Sequence, residues 1–282
     1  MIISGNHAIF FPSHSVRMIM EWLINSIIWL APESFLWASP METRGFIINP
    51  PLVHSCLSLT MSRIQDMFEV GAHYGYSRTR RHPTTKQFIF GSKNRTDIID
   101  LEKTDAQLTR VQELLSSIVA SGRQVIFVGS KPELRDLVKT TAESLGMPYV
   151  DERWIGGTLT NWKQIKSRVV MLEDLGGKSE EGTLMYKTKK EKLLLERKIE
   201  KLERRFGGLS NLKGIPAAVI VVDAREEINA VTEAHMMGIP VIGLVNTDND
   251  VSLVDFPVVA NDNSRKSVDF FMKQFAESMK TA

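Results

Sequence analysis

The feature that most constrains this chain is a near-continuous apolar run, "PAAVIVVD" over 216–223, that stops abruptly at Asp223. A strand with one wet face alternates apolar and polar residues; a strand buried on both faces does not. Residues 225–238 follow with helical spacing, placing Ile228, Val231, Ala234 and Met237 inward. A second apolar strand, "IPVIGLVNTD" over 239–248, comes next. Strand, helix, strand with short connections predicts a right-handed crossover and a parallel sheet covered on both sides.

The same alternation occurs upstream. Strands are predicted over 87–94, 96–101, 124–130 and 147–152, and a last short one over 256–262. Between them, 104–121 carries Leu108, Val111, Leu114, Leu115, Ile118 and Val119 on one helical face, with Thr104 or Asp105 as its cap and Gly122 at its end. A helix over 131–146 has Pro132 in its first turn, and another over 264–279 closes the pattern. The result is an α/β domain with a mostly parallel sheet.

Residues 160–206 interrupt it. Ile165, Val169, Leu172 and Leu175 have helical spacing, "GGKSEEG" over 176–182 breaks the helix, and Thr188 with Glu191 forms a capping box that starts a second. Leu195, Ile199, Leu202 and Phe206 make a thin apolar stripe among many charges, and Gly207-Gly208 ends it. This reads as an antiparallel helical hairpin inserted over 161–206, an arm that reaches a partner.

Residues 1–60 differ from the rest of the 282-residue chain. They hold three of its five tryptophans, three of its six histidines and its only cysteine, Cys56, but show no clean period. Their apolar stretch over 18–31 is interrupted by Glu21 and Asn25 and is too short for a membrane span. We expect an unstructured or spurious extension, with Met61 as the natural start and the α/β domain over 61–160 and 207–282. One cysteine excludes an internal disulfide and a cysteine-based zinc site.

No catalytic constellation emerges. "FVGSKPE" follows a strand and opens a helix, but is neither G-x-x-x-x-G-K-[ST] nor G-x-G-x-x-G. Asp223, Asp248 and Asp250 stand at strand ends, where turns also favour aspartate. His73 and His235 lack partners at metal-ligand spacing, and we read His235 as partly buried and satisfied. Neither a metal, a cofactor nor a catalytic residue is expected. The competing possibility is an enzyme that binds a phosphate ester or nucleotide at Ser130 and Lys131, with Asp223 as acid or base.

The basic residues say more. "YSRTRRHPTTKQ" places Arg78, Arg80, Arg81 and Lys86 in a loop with no acidic residue between Glu69 and Asp97, and Lys93 and Arg95 follow. Arg153 and Trp154 open "RWIGGTLTNW", a stretch with a double glycine between two tryptophans. Arginine beside aromatic residues suits phosphate pairing and base stacking, so these eight residues are the candidate RNA contacts.

Five motifs in order, "MFEVGAHYGYSRTRRHP", "FIFGSKNRTDIIDLEKT", "RWIGGTLTNW", "LERRFGGLSNLKGIPAAVIVVDAREEINAVTEAHMMGIPVIGLVNTD" and "NDNSRKSV", resemble the bacterial-type small-subunit ribosomal protein two, the universal S-two family. The resemblance implies a flavodoxin-like parallel sheet with a coiled-coil hairpin. It implies a non-catalytic structural role in the cytoplasmic small ribosomal subunit, in translation, touching small-subunit rRNA and neighbouring ribosomal proteins and no membrane. It implies that "RWIGGTLTNW" leads from sheet to hairpin. The chain departs from the family at Asn246, usually aspartate, and at Asp250-Val251, often Asp-Pro, so the loop 246–255 is left without a contact.

Overall fold

The computed structural model describes residues 63–180 and 188–280. The expected extension over 1–60, Met61 and part of the expected break over 176–182 lie outside the described residues.

The apolar runs form β4 (Val125–Val128), β6 (Ala218–Val222) and β7 (Val241–Val245), with every residue buried. With β5 (Tyr149–Val150) and β8 (Phe256–Val259) they make a five-stranded sheet of order β5-β4-β6-β7-β8, parallel throughout. Counted from β4 as first strand, this is the flavodoxin-like order 2-1-3-4-5, with its switch point between β4 and β6.

Successive side chains enter opposite layers. Phe127, Ile220, Ile242 and Leu244 pack with Leu108 of α1 (Leu101–Ala120), Val138 of α2 (Arg135–Ser144) and Phe271 of α6 (Arg265–Lys280). Ile126, Val219, Val221 and Val245 pack on the other side with Val231 of α5 (Ile228–Met236), and with Ile165 and Phe206 at the root of the hairpin. Each such side chain fully buried contributes about 1.5–3 kcal/mol.

A second sheet stands apart. β1 (Tyr74–Ser77), β2 (Ile89–Lys93) and β3 (Thr96–Ile99) are antiparallel in the order β1-β3-β2. The strands expected over 87–94 and 96–101 therefore lie outside the parallel sheet. Their connection is the reason: Asn94 and Arg95, at φ 52° and 63°, form a two-residue turn, whereas a parallel crossover needs about a dozen residues.

Helix ends also differ from expectation. Asp100, not Thr104 or Asp105, caps α1, accepting from the Glu102 amide at 3.2 Å. Thr104 lies inside α1, where its hydroxyl donates to the Val259 carbonyl at 2.7 Å. α2 begins at Arg135, beyond Pro132. α5 begins at Ile228, three residues later than expected, and its face turns accordingly. Ile228 and Met237 are exposed, whereas Ala230, Val231, Glu233 and Ala234 point inward.

The hairpin consists of α3 (Trp162–Glu180) packed against α4 (Lys189–Phe206). α3 runs through Gly176-Gly177, where a break was expected; a helix tolerates glycine at a cost of about 1 kcal/mol each. The capping box is present: the Thr188 hydroxyl accepts from the Glu191 amide at 3.3 Å, and the Thr188 amide donates to the Glu191 carboxylate at 3.2 Å. Ile165, Val169 and Phe206 join the core, so the root of the hairpin belongs to the domain. Among the described residues, no helix is long and apolar enough to cross a membrane.

Candidate nucleic-acid interface

The basic loop follows β1 as two short turns, Arg78–Arg80 and Pro83–Phe88. Its backbone is latched to the residues after β7. The Tyr76 amide donates to the Thr247 hydroxyl at 2.9 Å, and the His82 amide to the Thr247 carbonyl at 2.8 Å. The Thr85 hydroxyl donates to that same carbonyl at 3.0 Å, and the Val251 amide to the Thr84 hydroxyl at 3.1 Å. Thr247 is fully buried, so the loop 246–255, which sequence left unassigned, is the anchor of the basic loop.

On this scaffold Arg78, Arg80 and Lys86 are exposed, with Lys93 and Arg95 exposed at the adjoining β2–β3 turn. The Arg78 amide donates to the Arg95 carbonyl at 2.9 Å, which brings the two arginines together. Arg80 lies 5.7 Å from the centre of the Tyr76 ring, within cation–π range. None of these five cations forms an ion pair among the described residues.

Arg81 departs from the expectation that the loop has no anionic partner. Its Nε donates to Asp97 Oδ2 at 2.7 Å, its Nη2 reaches Asp97 Oδ1, and Ser92 completes the group at 3.0 Å. Asp97 is fully buried in β3, and the hydrogen bonds from Arg81 hold its carboxyl below the ordinary carboxylate range. Arg81 is thus spent on the fold.

Trp154 is a second correction. It is buried, and its indole N–H donates to Glu233 Oε1 at 3.1 Å. The Gly157 amide joins the same oxygen at 2.7 Å; the Leu159 and Thr160 amides and the Thr160 hydroxyl reach Oε2 at 3.1, 3.4 and 3.3 Å. Gly157, at φ 92°, supplies the left-handed turn that aims these groups inward. The stretch "RWIGGTLTNW" is therefore wrapped around a buried carboxylate. Sequence reasoning missed Glu233, although a glutamate between Val231 and Ala234 in an inward-facing stripe was the available signal. Arg153 remains exposed, but follows β5, at the far edge of the sheet from β7. It stands apart from the other cations.

The competing phosphate site can also be placed. Lys131 follows β4, and its ammonium contacts Asp223 at 2.7 Å and Asp262 at 2.8 Å. Burial acts to lower its pKa, but Asp262 and Asp223 outweigh that and raise it. Burial pushes the Asp262 carboxyl up to about 6, although it also accepts from Asn246 at 2.7 Å. The Ser130 amide is taken by the buried Glu227 at 3.0 Å. With the ammonium and the amide both engaged by carboxylates, a phosphate ester would meet anions here. His235 is exposed, not partly buried as expected, and lies 3.7 Å from Asp255.

Comparison with known proteins identifies relatives of the whole α/β region. A family model described as "Ribosomal protein S2" matches residues 67–282. "Small ribosomal subunit protein uS2" of Francisella tularensis subsp. novicida (strain U112) is 37% identical over 219 residues, 78% of this chain and 92% of the relative. The protein of the same name from Francisella tularensis subsp. holarctica (strain OSU18) matches with the same identity and coverage.

Proposed function

This chain belongs to the ribosomal protein S2 family, and from that premise we propose that its exposed cations bind small-subunit rRNA. As a member it is a structural, non-enzymatic constituent of the small ribosomal subunit, serving translation in the cytoplasm. The carrying observation is that Arg78, Arg80, Lys86, Lys93 and Arg95 stand exposed on a latched scaffold with no ion pair among the described residues. Cations displayed this way suit a polyanion, with arginine forks pairing phosphate oxygens. Arg153 adds an outlying contact near the hairpin, whereas Arg81 and Trp154 serve Asp97 and Glu233. The hairpin, whose Leu193 and Leu194 are exposed among charges, reaches towards neighbouring small-subunit proteins.

The test is binding of the full chain to a small-subunit rRNA fragment across a salt series. Changing Arg78, Arg80 and Lys86 to alanine lowers affinity and flattens the log–log salt slope by about 0.7–0.9 for each phosphate no longer neutralised. The melting curve stays in place. Unchanged affinity and slope would overturn the assignment.

A further inference from the structure

Exposed aromatic rings accompany the cations of the small antiparallel sheet: Tyr74 and Phe90 lie in β1 and β2, and Phe68 in the helical segment before β1. Phe68, Tyr74 and Phe90 are 60%, 54% and 81% exposed. The Phe68 ring stacks on His73 with centroids 4.3 Å apart and planes 10° apart, and His73 lies 4.0 Å from the Tyr74 ring. The middle ring is buried, and that burial lowers its pKa, which favours the uncharged imidazole between the two outer rings.

Across the strands Tyr74 pairs with Ile98, and Ile98 with Gly91. This row lies on the side away from the buried Asp97 and Ile99. A side chain at Gly91 would meet nothing within 4 Å, so the far end of the row is open. Phe90 sits beside it, at the irregularity where β2 has one residue more than β3 between pairs.

The cations close one end of the same sheet. Ser77 and Lys93 both pair with Thr96, next to Arg78 and Arg95. At about 3.4 Å per residue, they lie roughly 10 Å along the strand from Tyr74.

We infer that this face is a stacking platform for unpaired RNA bases, with Tyr74 and Phe90 holding the bases and Arg78, Lys93 and Arg95 holding the adjoining phosphates. The inference rests on the rRNA reading of the basic loop and adds the class of RNA: single-stranded rather than duplex. An apolar protein surface would fit the rings but leave the adjacent cations unmatched, whereas a single strand supplies both a ring face and a charge at every nucleotide.

The experiment measures binding of the full chain to a 12-nucleotide oligouridylate and to an RNA duplex of equal length, over a salt series. Replacing Tyr74 and Phe90 together by alanine weakens single-strand binding by at least about fivefold, the smaller end of the range for one stacked base. The salt slope stays unchanged, because no charge is removed. Duplex binding is also unaffected, and Tyr74→Phe restores affinity at that position. Phe90 projects into solvent, so Phe90→Ala alone probes stacking without touching the fold. If the aromatic variants bind like the parent while Arg78→Ala/Arg95→Ala weakens binding, the platform is overturned and the phosphate reading survives. If only the aromatic variants weaken binding, the platform stands and the phosphate assignment fails. If the aromatic variants bind RNA normally but no longer enter small subunits, the face is a protein contact and the inference is overturned.

Discussion

Removing the Glu233 carboxylate should loosen the junction between hairpin and sheet more than any other single truncation on α5. Five donors converge on it, and two of them, the Trp154 indole and the Leu159 amide, are buried together with their acceptor. In Glu233→Ala those two lose their partner with no direct route to water. At about 1–3 kcal/mol for each unsatisfied buried donor, the cost is about 2–6 kcal/mol. The three other donors are only partly buried and recover hydrogen bonds from water. Domains of this kind are stable by about 5–15 kcal/mol, so the variant folds but is visibly weakened. Glu233→Gln falls between, since its remaining carbonyl oxygen keeps one set of donors while its amide group faces the other. Urea melts give the free energy, and amide exchange at Leu159 gives the local opening. A loss below about 1 kcal/mol in Glu233→Ala, with Leu159 protection unchanged, would refute the clamp.

Other expectations follow from the same geometry. Arg81→Ala strands the buried Asp97 and should cost about 3 kcal/mol in thermal or urea melts, whereas Arg78→Ala and Arg80→Ala stay within about 0.5 kcal/mol. The pair also has a pH signature. Because the folded Asp97 carboxyl is depressed, it contributes stability above its unfolded value near about 3.9, and loses it as pH falls through the lower folded value. Acid titration of stability should therefore lose that component in Arg81→Ala. For the hairpin, exchanging 173–198 for a short glycine-serine link should leave a folded domain that enters small subunits poorly. Extending the cut to 163–205 removes the buried Ile165 and Val169 and should also lower the melting temperature.

The parts of the fold that could be read from sequence are those in which local pattern and burial coincide. β6 and β7 are apolar without interruption because both faces are covered, and the Thr188–Glu191 box depends only on residues three apart. The misses depend on distant partners. β1 is only four residues long and contains Gly75 between two tyrosines, so no alternation announces it; it exists because Ile98 and Thr96 of β3 pair with it. Arg81 seemed free because its carboxylate arrives through strand pairing, 16 positions along the chain. Trp154 looked like a stacking residue because nothing near it in sequence shows that a glutamate 79 positions away accepts its N–H. Of the candidate cations, Arg78, Arg80, Lys86, Lys93 and Arg95 were legible as a group, since the stretch around them in sequence holds no acidic residue before Asp97.

The latch at Thr247 makes display of the basic loop conditional on the parallel sheet. In an unfolded chain the same arginines and lysines would sample many arrangements, and gathering them on a phosphate backbone would cost conformational entropy at the moment of binding. Here that ordering is completed when β7 takes its place and Thr247 captures the amides of Tyr76 and His82. On the proposed rRNA reading, affinity becomes a report on whether the sheet has formed: a chain with β7 out of register presents equal charge but no ordered array. Selection of correctly folded copies during subunit assembly would need no separate inspector, because the same threonine that fixes the loop also signals that the core beneath it is complete.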